Sequence, residues 1–307
     1  MPRKSTAGEK ILRAALLGTS AYGAACGITF MRIFDVEKSW FREKYGTAGK
    51  TDDEWLQKAE IKDVYTDSYD GLKLHAMVIE HHPESDRWLI LLHGYAADGR
   101  AIVRILKDAD EQGYNLLVPD LRAHGFSEGR WTGFGWPEHY DLLGWIGWLC
   151  AQRPESRIAL YGVSLGAAAV MNTVGERLPA NVKCAVEDCG FVEIKEILAS
   201  NLKAVMNFKV DFLMPGIDFF VKRILHFSMY DVSTRRQLRN AQVPVLFLHG
   251  TEDRLVHSGN AYDCYYACAG KRKLHIVQGA GHAAAWLDDE CRQNVFAFLD
   301  ECFEQTV

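Results

Sequence analysis

Six short apolar runs, at residues 88–92, 115–119, 158–163, 182–187, 245–248 and 274–277, alternate with stretches of helical periodicity. A strand that alternates apolar and polar residues has one dry face, whereas a strand that is apolar throughout is buried on both. Such strands pair in parallel, and parallel neighbours need a long crossover, commonly a helix. Residues 137–150 fit that role: Pro137 stands in the first turn, and Leu142, Trp145, Ile146 and Leu149 form one apolar stripe. The pattern predicts an α/β fold built on a mostly parallel, doubly wound sheet. Residues 61–66 and 72–79 flank Asp70-Gly71, a hairpin signal, so the sheet is expected to open with antiparallel strands.

With 307 residues, 48% of them hydrophobic, the chain can bury one large core, and the sheet-forming body is expected over residues 61–307. One interval breaks its rhythm. About fifty residues separate the strand candidates on either side of 191–242, more than a crossover helix requires, which predicts an inserted helical cap. Its large apolar groups, among them Met206, Phe208, Phe212, Met214, Phe219, Phe220 and Phe227, suit either a cap packed on the body or a lid over an apolar pocket.

Charge narrows the partners. Thirty-five Lys and Arg against 40 Asp and Glu give a net −5, without the basic stripe that a phosphate backbone needs, so nucleic acid is not an expected partner. The eight cysteines include no C-x-x-C and sit mostly in apolar runs, where free thiols pack as small hydrophobes. Neither a zinc site nor a disulfide framework is indicated. Cys264 and Cys268, one helical turn apart, are read as core residues rather than a redox pair.

The amino terminus stands apart in composition. Arg3, Lys4, Lys10 and Arg13 precede the uncharged run 14–31, which Arg32 closes. At eighteen residues the run is near the short end of the roughly 17–25 that a spanning helix needs. Residues 1–35 are therefore expected to anchor the protein at the cell membrane through residues 11–34, with 36–60 an amphipathic linker. A cleaved signal peptide, with small residues at Gly23-Ala24-Ala25, and a helix packed on a cytoplasmic protein are the alternatives.

The run 158–163 leads directly into Gly162-Val163-Ser164-Leu165-Gly166 and then into helix-forming Ala167-Ala168-Ala169. G-x-S-x-G between a strand and a helix puts serine on a strained turn, with glycines where neighbouring backbones approach. A nucleophilic serine needs a base, and the base needs a carboxylate, in the order serine, acid, histidine. Asp253 follows a strand end in H-G-T-E-D, and His282 follows the last strand in G-A-G-H. Both fall where ligands bind in open α/β sheets, beyond the carboxyl ends of the strands. Asp188, after the run 182–187, is the rival acid, while His93 and His249 precede glycines and are read as shaping loops. Backbone N–H groups of Leu165 and Tyr95 are the expected oxyanion donors; the Tyr95 phenol either adds a third hydrogen bond or walls the pocket.

The ordered set L-L-H-G-Y, V-P-D-L-R-A-H-G-F-S-E-G, Y-G-V-S-L-G-A, V-E-D-C-G-F, F-L-H-G-T-E-D and G-A-G-H resembles the α/β-hydrolase superfamily over about residues 61–305. Within it the chain is most similar to bacterial carboxylesterase-like or prolyl-oligopeptidase-like single-domain serine hydrolases, which often carry an N-terminal membrane segment. The resemblance implies Ser164 as nucleophile, Asp253 as acid, His282 as base, and Tyr95 and Leu165 as oxyanion donors. Where this chain has Ala123 the family often has glycine. The expected activity is hydrolysis of small carboxylic esters through an acyl-enzyme. An aminopeptidase or amidase and an acyltransferase are the alternatives on the same residues, and a non-catalytic binding protein is the alternative of another class. With no G-x-x-x-x-G-K-[ST], H-E-x-x-H or G-x-G-x-x-G after a strand, no cofactor or metal is expected. Acyl length, physiological substrate and oligomeric state are not written in the sequence.

Overall fold

The six apolar runs all become strands of one eight-stranded sheet; the five between residues 88 and 248 are buried almost throughout, whereas 274–277 lies in an edge strand and is only partly buried. In this computed structural model, residues 7–45, 53–206 and 210–304 are described. The strands are β1 (Ile61–Asp67), β2 (Lys73–Ile79), β3 (Arg87–Leu92), β4 (Asn115–Pro119), β5 (Arg157–Val163), β6 (Val182–Asp188), β7 (Val245–Gly250) and β8 (Arg272–Val277). The helices are α1 (Ala7–Phe34), α2 (Trp40–Tyr45), α3 (Glu54–Lys58), α4 (Val103–Glu111), α5 (Trp136–Gln152), α6 (Leu165–Thr173), α7 (Ile194–Met206), α8 (Met214–Ile224), α9 (Thr234–Leu238), α10 (Gly259–Ala267) and α11 (Asp289–Glu304).

The strand order is β1-β2-β4-β3-β5-β6-β7-β8. β2 runs antiparallel to both β1 and β4, and all other pairs are parallel. The α/β fold with an antiparallel entry is thus present as expected. Gly71 takes φ +87° in the turn between β1 and β2, a conformation that glycine adopts without steric cost.

Helices cover both faces. On one face α5 and α6 contribute Leu142, Trp145, Leu149 and Val170; on the other α4 and α11 contribute Ile105, Leu106, Val295, Phe298 and Leu299. Each large apolar side chain removed from water in this way contributes about 2–3 kcal/mol. The chain steps from β3 to β4 on one side and then returns to place β5 on the other. That reversal opens a crevice at the carboxyl ends of β3 and β5. Between β6 and β7, in the interval expected as a cap, lie α7, α8 and α9. The side chains of Met206 and Phe208 fall outside the described residues.

The amino-terminal segment departs from expectation. Arg3, Lys4 and the side chains up to residue 17 fall outside the described residues, but Cys26, Phe30, Ile33 and Phe34 on α1 are at most 1% exposed. They pack on α8 and on the loop before α5. A Cβ on Gly27 would sit 3.2 Å from the Phe220 ring, and the Phe30 ring lies 5.1 Å from Trp131. Tyr22 donates from its hydroxyl to the carbonyl of Phe212 at 2.7 Å. Past the helix, the Val36 N–H donates to the Arg130 carbonyl (3.1 Å) and the Thr132 N–H to that of Phe34 (3.0 Å). Asp35 forms an ion pair with Arg130 at 2.8 Å. The residues expected to anchor the chain thus end in the protein core, and 36–60 begins as part of the body rather than as a linker. Among the described residues no helix is long and apolar enough to cross a membrane. The expected membrane anchor therefore finds no support, because the end of the uncharged run is covered by protein.

Candidate active site

Ser164 takes φ +54° and ψ −108° between β5 and α6, a conformation disfavoured for any residue with a side chain. The chain tolerates it because the flanks are over-determined. A Cβ on Gly162 would lie 2.3 Å from the Gly166 carbonyl oxygen, and one on Gly166 would lie 2.4 Å from that of Leu92. The Ser164 N–H also donates to the Asp188 carbonyl at 2.8 Å, tying the turn to the end of β6. The hydroxyl is thereby held at the carboxyl edge of the sheet, where the expected partners converge.

The Ser164 hydroxyl lies 2.9 Å from Nε2 of His282, and His282 Nδ1 lies 2.7 Å from an Asp253 carboxylate oxygen. Since Nδ1–H donates to the carboxylate, Nε2 is the nitrogen free to accept the serine proton. Ser164 comes from the end of β5, Asp253 from the loop after β7 and His282 from the loop after β8. One oxygen of Asp253 accepts the backbone N–H groups of Leu255 and Val256 at 2.9 Å each, which fixes the carboxylate plane. The other receives His282 and, at 3.2 Å, Nε2 of His249. Burial alone would raise this carboxyl, but the hydrogen bonds from His249 and His282 outweigh it and hold it well below the usual carboxylate range. His249 was expected only to shape a loop; it also braces the Asp253 carboxylate, and it donates to the Val256 carbonyl at 2.8 Å.

The rival acid lies elsewhere. Asp188 accepts from the Tyr161 hydroxyl at 3.2 Å and makes no hydrogen bond to His282. Complete burial pushes it up to about 6, and pushes its neighbour Glu187 up to about 7. One oxygen of Glu187 accepts the Gly190 N–H; the other, like Oδ1 of Asp188, is buried with no hydrogen-bond partner among the described residues.

The loop after β3 lies over the serine, since a Cβ on Gly94 would be 3.5 Å from that of Ser164. Leu165 is the first residue of α6, so its N–H has no acceptor within the helix and points along the positive end of the helix dipole. Two buried histidines shape the β3 loop. His93 donates from Nδ1 to the Gly94 carbonyl and accepts the Leu121 N–H; His124 donates to the Arg122 carbonyl and accepts the Ala96 N–H at 3.1 Å. Burial lowers both, His124 to about 3, so each stays neutral and keeps its accepting nitrogen. Nothing in the sequence singled out His124; its place in A-H-G-F, two residues after Arg122, was the available signal. The Tyr95 phenol, left open between two uses, donates to the Ile33 carbonyl at 2.9 Å, and its ring stacks on Phe134. It therefore braces the loop against α1 and turns its hydroxyl away from the serine.

A family model described as alpha/beta hydrolase fold matches residues 87–223. Among characterised structures, the esterase Pf2001 of Pyrococcus furiosus superposes with a TM-score of 0.68 at 24% identity, covering 84% of this chain and 97% of that one. An acetyl xylan esterase from Paenibacillus sp. R4 superposes with a TM-score of 0.61 at 18% identity, over 82% and 87% of the two chains. In sequence the chain is similar to the uncharacterised protein YqkD of Bacillus subtilis (strain 168), 27% identical over 222 residues, 71% of this chain and 72% of that protein. It is also similar to lysophosphatidylserine lipase ABHD12 of Rattus norvegicus, 24% identical over 172 residues, 55% of this chain but 42% of that protein.

Proposed function

Because the chain belongs to the α/β-hydrolase superfamily, we propose that it is a serine hydrolase acting on carboxylic esters. The observation that carries this reading is the unbroken line from the Ser164 hydroxyl through both nitrogens of His282 to Asp253. In the first half-reaction His282 Nε2 takes the serine proton as Oγ attacks the ester carbonyl. The N–H groups of Leu165 and Tyr95 are assigned to the oxyanion, since fixed backbone donors stabilise the developing charge without reorganising as it forms. His282 then gives its proton to the departing alkoxide, leaving the acyl group on Ser164. Water repeats the sequence and releases the acid. Asp253 keeps Nδ1 protonated throughout and stabilises the imidazolium.

Esters are favoured over aminopeptidase substrates for a physical reason. A subsite for a substrate ammonium needs an accessible carboxylate, whereas Asp253 is already saturated with hydrogen bonds and Glu187 and Asp188, at the end of the strand next to that of Ser164, are at most 1% exposed. Capture of Ser164 by a fluorophosphonate probe, together with hydrolysis of p-nitrophenyl esters of graded length set against aminoacyl p-nitroanilides, tests the reading. Ester turnover lost with Ser164→Ala is the expected result. A protein that neither reacts with the probe nor hydrolyses any ester is a binding protein, and one faster on the anilides is a peptidase or amidase.

A further inference from the structure

Cys189 takes no part in the acyl-transfer steps, yet it stands beside the residues that perform them. It directly follows β6 with φ +52°, its N–H donating to the Leu248 carbonyl at 3.0 Å, so the backbone turns its side chain toward the ends of β7 and β8. Its Sγ, a ring nitrogen of His282 and a carboxylate oxygen of Asp253 all lie within 4.8 Å of one another. The three come from the carboxyl ends of three adjacent parallel strands, each of which is fixed by the sheet. Thiolate, imidazole and carboxylate together are the donor set of four-coordinate zinc, whose bonds of about 2.0–2.3 Å place neighbouring donor atoms roughly 3.3–3.7 Å apart. Coordination therefore requires the 2.7 Å contact between Asp253 and His282 to widen and any donor pair near the 4.8 Å limit to draw in by about 1 Å. The His282 side chain is 22% exposed whereas that of Asp253 is fully buried, so the imidazole is the donor of this pair that solvent reaches.

We infer that Cys189, Asp253 and His282 form an inhibitory site for a thiophilic divalent cation of the zinc type. The inhibition rests on the hydrolase reading above; the binding does not. Bonds form from the metal to Cys189 Sγ, His282 Nδ1 and an Asp253 oxygen. The thiol proton leaves to solvent, and the proton on Nδ1 is replaced by one on Nε2, so His282 remains neutral. With Nε2 protonated, the imidazole donates to Ser164 instead of accepting from it, and the general base is gone. The cation thus inhibits by reversing a tautomer, without touching the serine.

The test uses the full-length protein and the variants Cys189→Ser and Cys189→Ala. In p-nitrophenyl acetate hydrolysis, zinc should inhibit the wild-type protein and EDTA should restore it. Both variants should keep metal-free activity within about twofold and need at least tenfold more zinc for half inhibition. Cobalt(II) gives a second readout independent of turnover, a thiolate-to-metal absorption in the near ultraviolet that wild type should show and Cys189→Ser should lack. Equal zinc sensitivity in wild type and variants overturns the proposal, as does a cobalt band that is absent or survives in Cys189→Ser. If no ester is hydrolysed at all, the hydrolase reading fails, and the cobalt comparison still decides the site.

Discussion

The Tyr95 hydroxyl donates to the carbonyl of Ile33 at 2.9 Å, joining the loop over the serine to the last turn of α1. The contact satisfies one of the carbonyls that a helix leaves without a partner at its carboxyl end. It also makes the amino-terminal helix part of the site's scaffold, since rings continue the connection: Tyr95 stacks on Phe134, Phe134 meets Phe34 edge-on at 5.3 Å, and Phe34 stacks on Phe30. Phe30 in turn lies 5.8 Å from Phe220 of α8.

Deleting residues 1–35 should therefore damage the protein rather than release a free catalytic body. Phe30, Ile33 and Phe34 are buried, and truncating each side chain alone typically costs about 2–5 kcal/mol, against the roughly 5–15 kcal/mol that stabilises a domain. The shortened chain should aggregate or melt many degrees lower, and Phe34→Ala alone should lose about 3–5 kcal/mol in urea unfolding. A truncated protein with wild-type melting temperature and ester turnover would show that these contacts stabilise nothing.

The elbow predicts a contrast between two inactive variants. Ser164→Ala and Ser164→Gly should both lower kcat by several orders of magnitude, since neither retains a nucleophile. Alanine keeps a Cβ at φ +54°, whereas glycine relieves a strain of order 1–3 kcal/mol, partly offset by its greater freedom when unfolded. The glycine variant should be the more stable of the pair by about 1 kcal/mol. Thermal unfolding of the two side by side decides it, and a glycine variant that melts below the alanine one argues against strain at Ser164.

Chain periodicity made the sheet legible because strands buried on both faces leave uninterrupted apolar runs, and Ser164, Asp253 and His282 were legible because each follows such a run. What the sequence did not disclose depends on contacts distant in the chain. The partner of the Tyr95 phenol is a backbone carbonyl 62 positions earlier, which carries no side-chain signature. His249 reads as a residue before a glycine until β7 and its loop bring it against Asp253. An Ala- and Gly-rich apolar helix has the same composition whether lipid or α8 covers it, so composition alone does not separate an anchor from the packed helix that α1 forms at its carboxyl end. Ala123, noted as standing where glycine is common, has φ +65°, which accounts for that preference.

Asp253→Asn and Asp188→Asn should separate the two candidate acids. An asparagine at 253 can present an N–H to His282, which favours the wrong tautomer, and a loss on the order of 10⁴ in kcat is expected. At 188 the side chain faces Tyr161, and the substitution should change kcat less than tenfold. The reverse ranking would transfer the role of acid to Asp188.

The same buried carboxylates make stability depend on pH in a direction opposite to that of Asp253. Asp253 is held well below the usual range, so the stability it contributes is present above its unfolded value and is lost only in strong acid. Glu187 and Asp188 are pushed up, to about 7 and about 6, by complete burial. Between pH 4.5 and about 7 for Glu187, and between 3.8 and about 6 for Asp188, the unfolded chain has released the proton while the folded chain still holds it. The folded state therefore binds more protons, and the unfolding free energy falls as pH rises through these windows. For Glu187 the displacement from 4.5 to about 7 corresponds to roughly 3 kcal/mol, and for Asp188 the effect is of similar order. Glu187→Gln keeps an acceptor for the Gly190 N–H, and Asp188→Asn keeps one for the Tyr161 hydroxyl, so the double variant removes the charge while retaining both hydrogen bonds. Urea unfolding at pH 5 and pH 8 should show wild type losing several kcal/mol across the interval and the double variant losing much less. Equal losses in the two proteins would mean that both carboxyls ionise in the folded state as readily as in the unfolded chain.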